Sequence, residues 1–101
     1  MRIFITGADG FIGQHMVERL KDKHELEFLK EDLRDHAKVG FQIKQFDPEI
    51  IVHLAARTEV QDSFYEQITF SEVNYVGTVN LIEIAATLSN LKNFVFASTM
   101  E

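Results

Sequence analysis

Cysteine is absent from the 101 residues. That excludes disulfides, thiolate catalysis and cysteine-based zinc sites, and it fits a reducing, cytoplasmic location. No apolar run reaches the length needed to span a membrane. The first residues lack a basic start, and Thr6 and Asp9 interrupt the apolar stretch that a signal peptide would need. Repeats, low-complexity tracts and Gly/Ser linkers are missing as well. Positive charge is in short supply: the formal net charge is -6, with acidic residues spread along the chain. This argues against nucleic acid or an anionic membrane surface as a partner. His15, His24, His36 and His53 show no metal-ligand spacing, so each reads as a solvated or core histidine and no metal site is expected. Phosphate binding survives all these exclusions, because backbone amides bind phosphate without any lysine or arginine.

What is present is apolar content of 46%, enough for the core of one small domain. RIFIT (Arg2 to Thr6) is short, apolar and β-branched, and reads as a buried strand. Ile12, Met16, Val17 and Leu20 then fall at helical spacing, with Glu18, Arg19 and Lys21 on the other face. ELEFL (Glu25 to Leu29) is a second strand, and Asp35 to Phe46 a short helix ended by Asp47-Pro48. EIIVHLAA (Glu49 to Ala56) is the clearest buried strand. Residues 59–69 are ambiguous between loop and helix. From Ser71 onward, Val73, Val76, Asn80, Leu81, Ile84, Ala85 and Leu88 step by three and four, and NFVFAS (Asn93 to Ser98) is a last strand. The order β-α-β-α-β-α-β predicts an α/β fold with right-handed crossovers and a parallel sheet. The expected form is the N-terminal part of a Rossmann doubly wound sheet, four strands in the order 3-2-1-4, with residues 1–101 as one domain truncated after its fourth strand.

Glycine is scarce, five in all, yet three stand in FITGADGFIG at Gly7, Gly10 and Gly13. A strand, a glycine-rich turn and a helix in succession aim free backbone N–H groups and the positive end of the helix dipole at one point. Gly7 permits the turn, Gly10 lets a pyrophosphate approach the backbone, and Gly13 lets the helix pack closely on the strand. Glycines also occur in tight turns with no ligand, but the βαβ context favours a dinucleotide. No Gly-Lys-Ser/Thr closes the loop, so it is not a nucleoside triphosphate P-loop.

With TGADGFIG, the chain resembles the extended branch of the short-chain dehydrogenase/reductase superfamily, the NAD-dependent sugar-nucleotide epimerases and dehydratases. DLRD (Asp32 to Asp35), HLAA (His53 to Ala56), VNYVGTVNLIEIA (Val73 to Ala85) and FVFASTME (Phe94 to Glu101) carry the resemblance further, in order along the whole chain. The resemblance implies that Gly7, Gly10, Phe11 and Ile12 line the pyrophosphate, with Gly13 the last glycine of that cofactor-binding turn. It implies that Asp32 and Leu33 meet the adenine, and that Leu54, Ala55 and Ala56 run along the cofactor. Asn74 and Ser98 would support its nicotinamide side, and Thr99 falls at the catalytic serine/threonine that hydrogen-bonds the reacting oxygen. Read without the resemblance, Ala55 and Ala56 are ordinary strand residues, Asn74 a helix-start residue and Thr99 the end of a strand. Gly77 reads as close packing rather than as a ligand contact.

Two features depart from that family. Leu29 is followed at once by KEDLRD, a compressed segment in which Glu31 is the residue for the adenosine ribose. Lys30 beside it suits a 2'-phosphate, so the expected cofactor is NAD, with NADP possible. The family's catalytic tyrosine is followed four residues later by a lysine that lowers its pKa. Here Tyr65 is followed by Thr69 and Tyr75 by Val79. The expected function is therefore the dinucleotide-binding part of a sugar-nucleotide epimerase, dehydratase or reductase, inactive by itself and homodimeric when full length. The alternative is a non-catalytic dinucleotide-binding module or sensor.

Overall fold

Strand β1 (Arg2–Thr6) is buried from Ile3 to Thr6. An unbroken apolar run of this kind needs covering on both faces, and it receives it. The computed structural model describes residues 1–7, 11–55 and 64–98, with the backbone alone for 11, 12, 55, 64–74, 97 and 98. After β1 come α1 (Phe11–Leu20), β2 (Glu25–Phe28), α2 (His36–Phe46), β3 (Ile50–Ala55), α3 (Phe64–Ala85) and β4 (Asn93–Ser98). The alternation is the expected one, and all three strand pairings are parallel. Helix α3 starts at Phe64, well before Ser71, so most of the ambiguous stretch is helical.

The boundaries of α2 have local causes. Asp35 caps its start, the carboxylate accepting from the Lys38 N–H at 3.2 Å. At its end Asp47 adopts the left-handed conformation (φ 54°) and donates its N–H to the Ile43 carbonyl at 2.8 Å. Pro48 follows and cannot continue the helix.

The doubly wound parallel class holds, but the strand order is β2-β1-β3-β4 rather than 3-2-1-4. The reason lies in which face each helix covers. Ile3, Ile5, Val52 and Leu54 form one core layer, covered by Met16, Val17 and Leu20 of α1. Phe4 and Ile51 point the other way, into a layer with Val39 and Ile43 of α2 and Leu81 and Ile84 of α3. Right-handed crossovers that travel in one direction along a sheet keep their helices on one face. The order 3-2-1-4 would carry β2 to β3 in the same direction as β1 to β2, and so put α2 beside α1. The apolar faces of α2 and α3 instead share one layer. Both crossovers after β2 therefore run opposite to the first; the one from β2 to β3 passes β1, and β3 pairs with β1, Ile3 opposite Ile50 and Thr6 opposite His53.

Strands β2 and β4 are the two edges. Along β4, Val95 and Phe96 are exposed, while Phe94 packs against the α2/α3 layer. Helix α3 carries a second exposed apolar stripe of Tyr75, Val76, Val79 and Ile82. Among the described residues, no helix is long and apolar enough to cross a membrane.

Gly77 of α3 meets the loop after β2: a Cβ there would collide with Cγ and Cδ2 of Leu33. This bears out close packing as its role. We expect Gly77→Val to lower stability by about 1–3 kcal/mol through overpacking, read from urea denaturation. A neutral or stabilising result would show that Leu33 yields freely.

Candidate functional site

Parallel strands bring all their C-terminal ends to one edge of the sheet. Helices α1 and α3 leave adjacent strands, β1 and β3, toward opposite faces. The crevice between those two strand ends is the topological switch point, where open α/β sheets bind ligands. Gly7 stands there. Its φ is +76°, a conformation that costs other residues about 1–2 kcal/mol. A Cβ on Gly7 would also overlap the carbonyl oxygen of Leu54. Only glycine lets β1 turn this close to β3, and α1 opens at Phe11 just beyond. Phe11 and Ile12 are the first two residues of α1, and Gly13 is buried within it. A strand end, a left-handed glycine and a helix start thus stand together at the switch point.

Beneath the turn lies a buried polar chain. Thr6 Oγ1 meets His53 Nδ1, and His53 Nε2 lies 2.9 Å from Thr78 Oγ1 on α3. One ring nitrogen donates and the other accepts, and a threonine hydroxyl can serve either role. The Phe96 ring packs on the imidazole in an edge-to-face arrangement, centroids 5.2 Å apart. His53 is thus the core histidine expected by default, with both nitrogens partnered. Burial pushes its pKa below the usual 6.5.

The DLRD segment is held from two sides. Asp32 Oδ1 accepts from the Arg34 backbone N–H at 2.9 Å and from Nε at 3.1 Å, while Oδ2 pairs with Nη2 at 2.7 Å. These hydrogen bonds from Arg34 lower the Asp32 pKa to about 2. Among the described residues, these bonds take three of the carboxylate's about four acceptor positions. Leu33 packs against Gly77 and the core layer rather than standing free. Asn80, 8% exposed on α3, donates to the carbonyls of Leu33 at 3.0 Å and Arg34 at 3.2 Å. The sequence counted Asn80 only as a step in the helical period. Its signal was a polar side chain among apolar ones on the buried face.

The structure therefore brings Gly7 and Leu54 into contact, and sets Ala55 opposite Ser98 at the ends of β3 and β4. Glu31 and Lys30 are exposed beyond the end of β2, and Asn74 lies within α3. Gly10, Ala56 and Thr99 fall outside the described residues.

A model of the NAD dependent epimerase/dehydratase family matches residues 3–101. The chain belongs to this family. The UDP-glucose 4-epimerase of Mycolicibacterium smegmatis is 33% identical over 123 residues, an alignment covering 98% of this chain and 39% of the relative. The UDP-glucose 4-epimerase of Thermotoga maritima, solved with UDP-glucose, superposes with a TM-score of 0.82 at 26% identity, over 98% of this chain and 38% of that one. The Thermus thermophilus UDP-glucose 4-epimerase, solved in complex with NAD, gives 0.71 at 32% identity, over 84% and 33%. The chain thus spans about two fifths or less of the length of these family members.

Two outcomes are expected at this site. Gly7→Ala should unfold the chain or abolish dinucleotide binding, as seen by circular dichroism and calorimetry. The His53 effect has a definite sign. From pH 6.5 down to its depressed folded pKa, the unfolded chain binds a proton that the folded one does not. Stability should fall with pH across that window and level off below it, while Asp32 contributes its loss only below pH 3.8. Urea midpoints against pH should flatten in His53→Gln within the upper window, and an unchanged slope would contradict the assignment.

Proposed function

We propose that residues 1–101 form the dinucleotide-binding domain of a sugar-nucleotide epimerase, dehydratase or reductase. The left-handed Gly7 at the switch point between β1 and β3 carries this reading, and membership of an NAD-dependent family supports it. Gly7, Gly10, Phe11 and Ile12 receive the pyrophosphate, Asp32 and Leu33 the adenine, and Glu31 the ribose hydroxyls. Leu54, Ala55 and Ala56 flank the cofactor, and Asn74 and Ser98 lie on its nicotinamide side. NAD is the preferred cofactor because Glu31 would repel a 2'-phosphate; Lys30 is the feature that speaks for NADP. When bound, the cofactor supplies the hydride acceptor. Thr99 orients the substrate hydroxyl, and the full-length protein is a cytosolic homodimer acting on a sugar nucleotide such as the UDP-glucose of its relatives.

Thr99 does not remove a proton near pH 7, because a neutral hydroxyl with an ordinary pKa is too weak a base. Neither Tyr65 nor Tyr75 has a lysine four residues on. The 101-residue chain therefore binds cofactor without turnover.

Gly10→Val should reduce NAD affinity at least about tenfold by blocking the pyrophosphate, a loss of roughly 1.4 kcal/mol. Isothermal calorimetry on both proteins decides this, and equal affinities would show that the turn is not the site. Steady turnover of UDP-glucose by the purified chain, lost in Thr99→Ala, would show that the catalytic base lies within it.

A further inference from the structure

Strand β2 is an edge, yet two outward backbone groups at its tip are not left to water. The Leu29 N–H donates to the Ile5 carbonyl at 3.1 Å, so Leu29 faces β1. In a parallel ladder, residues alternate between the two sides. The Phe28 carbonyl and the Lys30 N–H therefore face outward, to the place where a further strand would pair. The side-chain amide of Gln42, on α2, takes both. Its Oε1 accepts from the Lys30 N–H at 3.1 Å, and its Nε2 donates to the Phe28 carbonyl at 2.8 Å. The same Nε2 donates to Glu27 Oε2 at 3.1 Å. One carboxamide does what the N–H and C=O of one residue in a neighbouring strand would do.

We propose that Gln42 is a positioning residue for ribose recognition: as a one-residue substitute for an adjacent strand, it holds the tip of β2 that presents Lys30 and Glu31. The inference rests on the reading of Glu31 as the ribose residue. Its geometry is direct, since Glu31 is the residue after the N–H that Gln42 holds. Lys30 and Glu31 carry opposite charges and are both exposed. Which of them faces the 2' position depends on the backbone they share. A groove of about 500 Å³ opens along this edge, with Lys30, Glu31, Lys38, Phe41 and Gln42 in its wall, so the tip is accessible to a ligand. The held groups lie at a solvent-facing edge, where water replaces a lost partner at small cost. Removing the amide should therefore disturb recognition more than stability.

The test compares wild type with Gln42→Leu, titrating the full chain with NAD and with NADP and following amide exchange by NMR. Gln42→Leu should stay folded, exchange the Lys30 amide faster, lose about tenfold in NAD affinity, the scale of one hydrogen bond to a charged group, and bring the NAD:NADP affinity ratio closer to one. The double variant Gln42→Glu with Glu27→Gln keeps an acceptor for the Lys30 N–H but loses the donor to the Phe28 carbonyl, and should restore the ratio only in part. Unchanged affinities and ratio in Gln42→Leu, despite faster exchange at Lys30, would overturn the proposal and leave the site reading intact. Binding by wild type that Glu31→Gln does not alter would show that Glu31 is not the ribose residue. Absence of all dinucleotide binding by wild type would remove the site reading and this inference together.

Discussion

The backbone of Gly7 lies so close to the carbonyl oxygen of Leu54 that no side chain fits between β1 and β3 at that point. This contact sets how tightly the chain turns from β1 toward α1. It depends in turn on β1 being clamped along its length, with Ile3 and Ile5 in one apolar layer and Phe4 in the other. Burial of such side chains contributes about 1.5–3 kcal/mol each. The strand end is therefore a stiff platform, and Thr6, His53 and Thr78 tie it to α3 through a polar chain with no unpaired ring nitrogen.

Helix α3 does two kinds of work along one face. Leu81 and Ile84 close the apolar layer shared with α2. Thr78 reaches His53, Asn80 holds the Leu33 and Arg34 carbonyls, and Gly77 accommodates the Leu33 side chain. The loop that carries Asp32 is thus positioned through Asn80, 47 and 46 residues from the carbonyls it holds. Asp32 itself is aligned by Arg34, two residues away, whose guanidinium engages both carboxylate oxygens.

Much of this was legible before any fold was known. The alternation of buried strands with amphipathic helices marked every element, because burial leaves a period of about 3.6 in helices and continuous apolar runs in parallel strands. Gly7 was legible because a left-handed turn at a strand–helix junction selects glycine. The start of α3 at Phe64 was less so, since its first residues lack the sharp apolar spacing that appears from Ser71. Asn80 and Gln42 were illegible as site-supporting residues. Each acts by hydrogen bonds to backbone groups of another element, and backbone groups leave no trace in the residue alphabet.

By itself, then, the sequence determined the class of fold, the family and the place of the glycine turn, all consequences of local pattern and of short-range backbone sterics. The order of the strands was decided only in three dimensions. Periodicity shows that α2 has an apolar face but not which side of the sheet it covers. That choice followed from α2 and α3 sharing one apolar layer around Phe4 and Ile51. It carried β3 to the free side of β1, and with it His53 to Thr6 and Leu54 to Gly7.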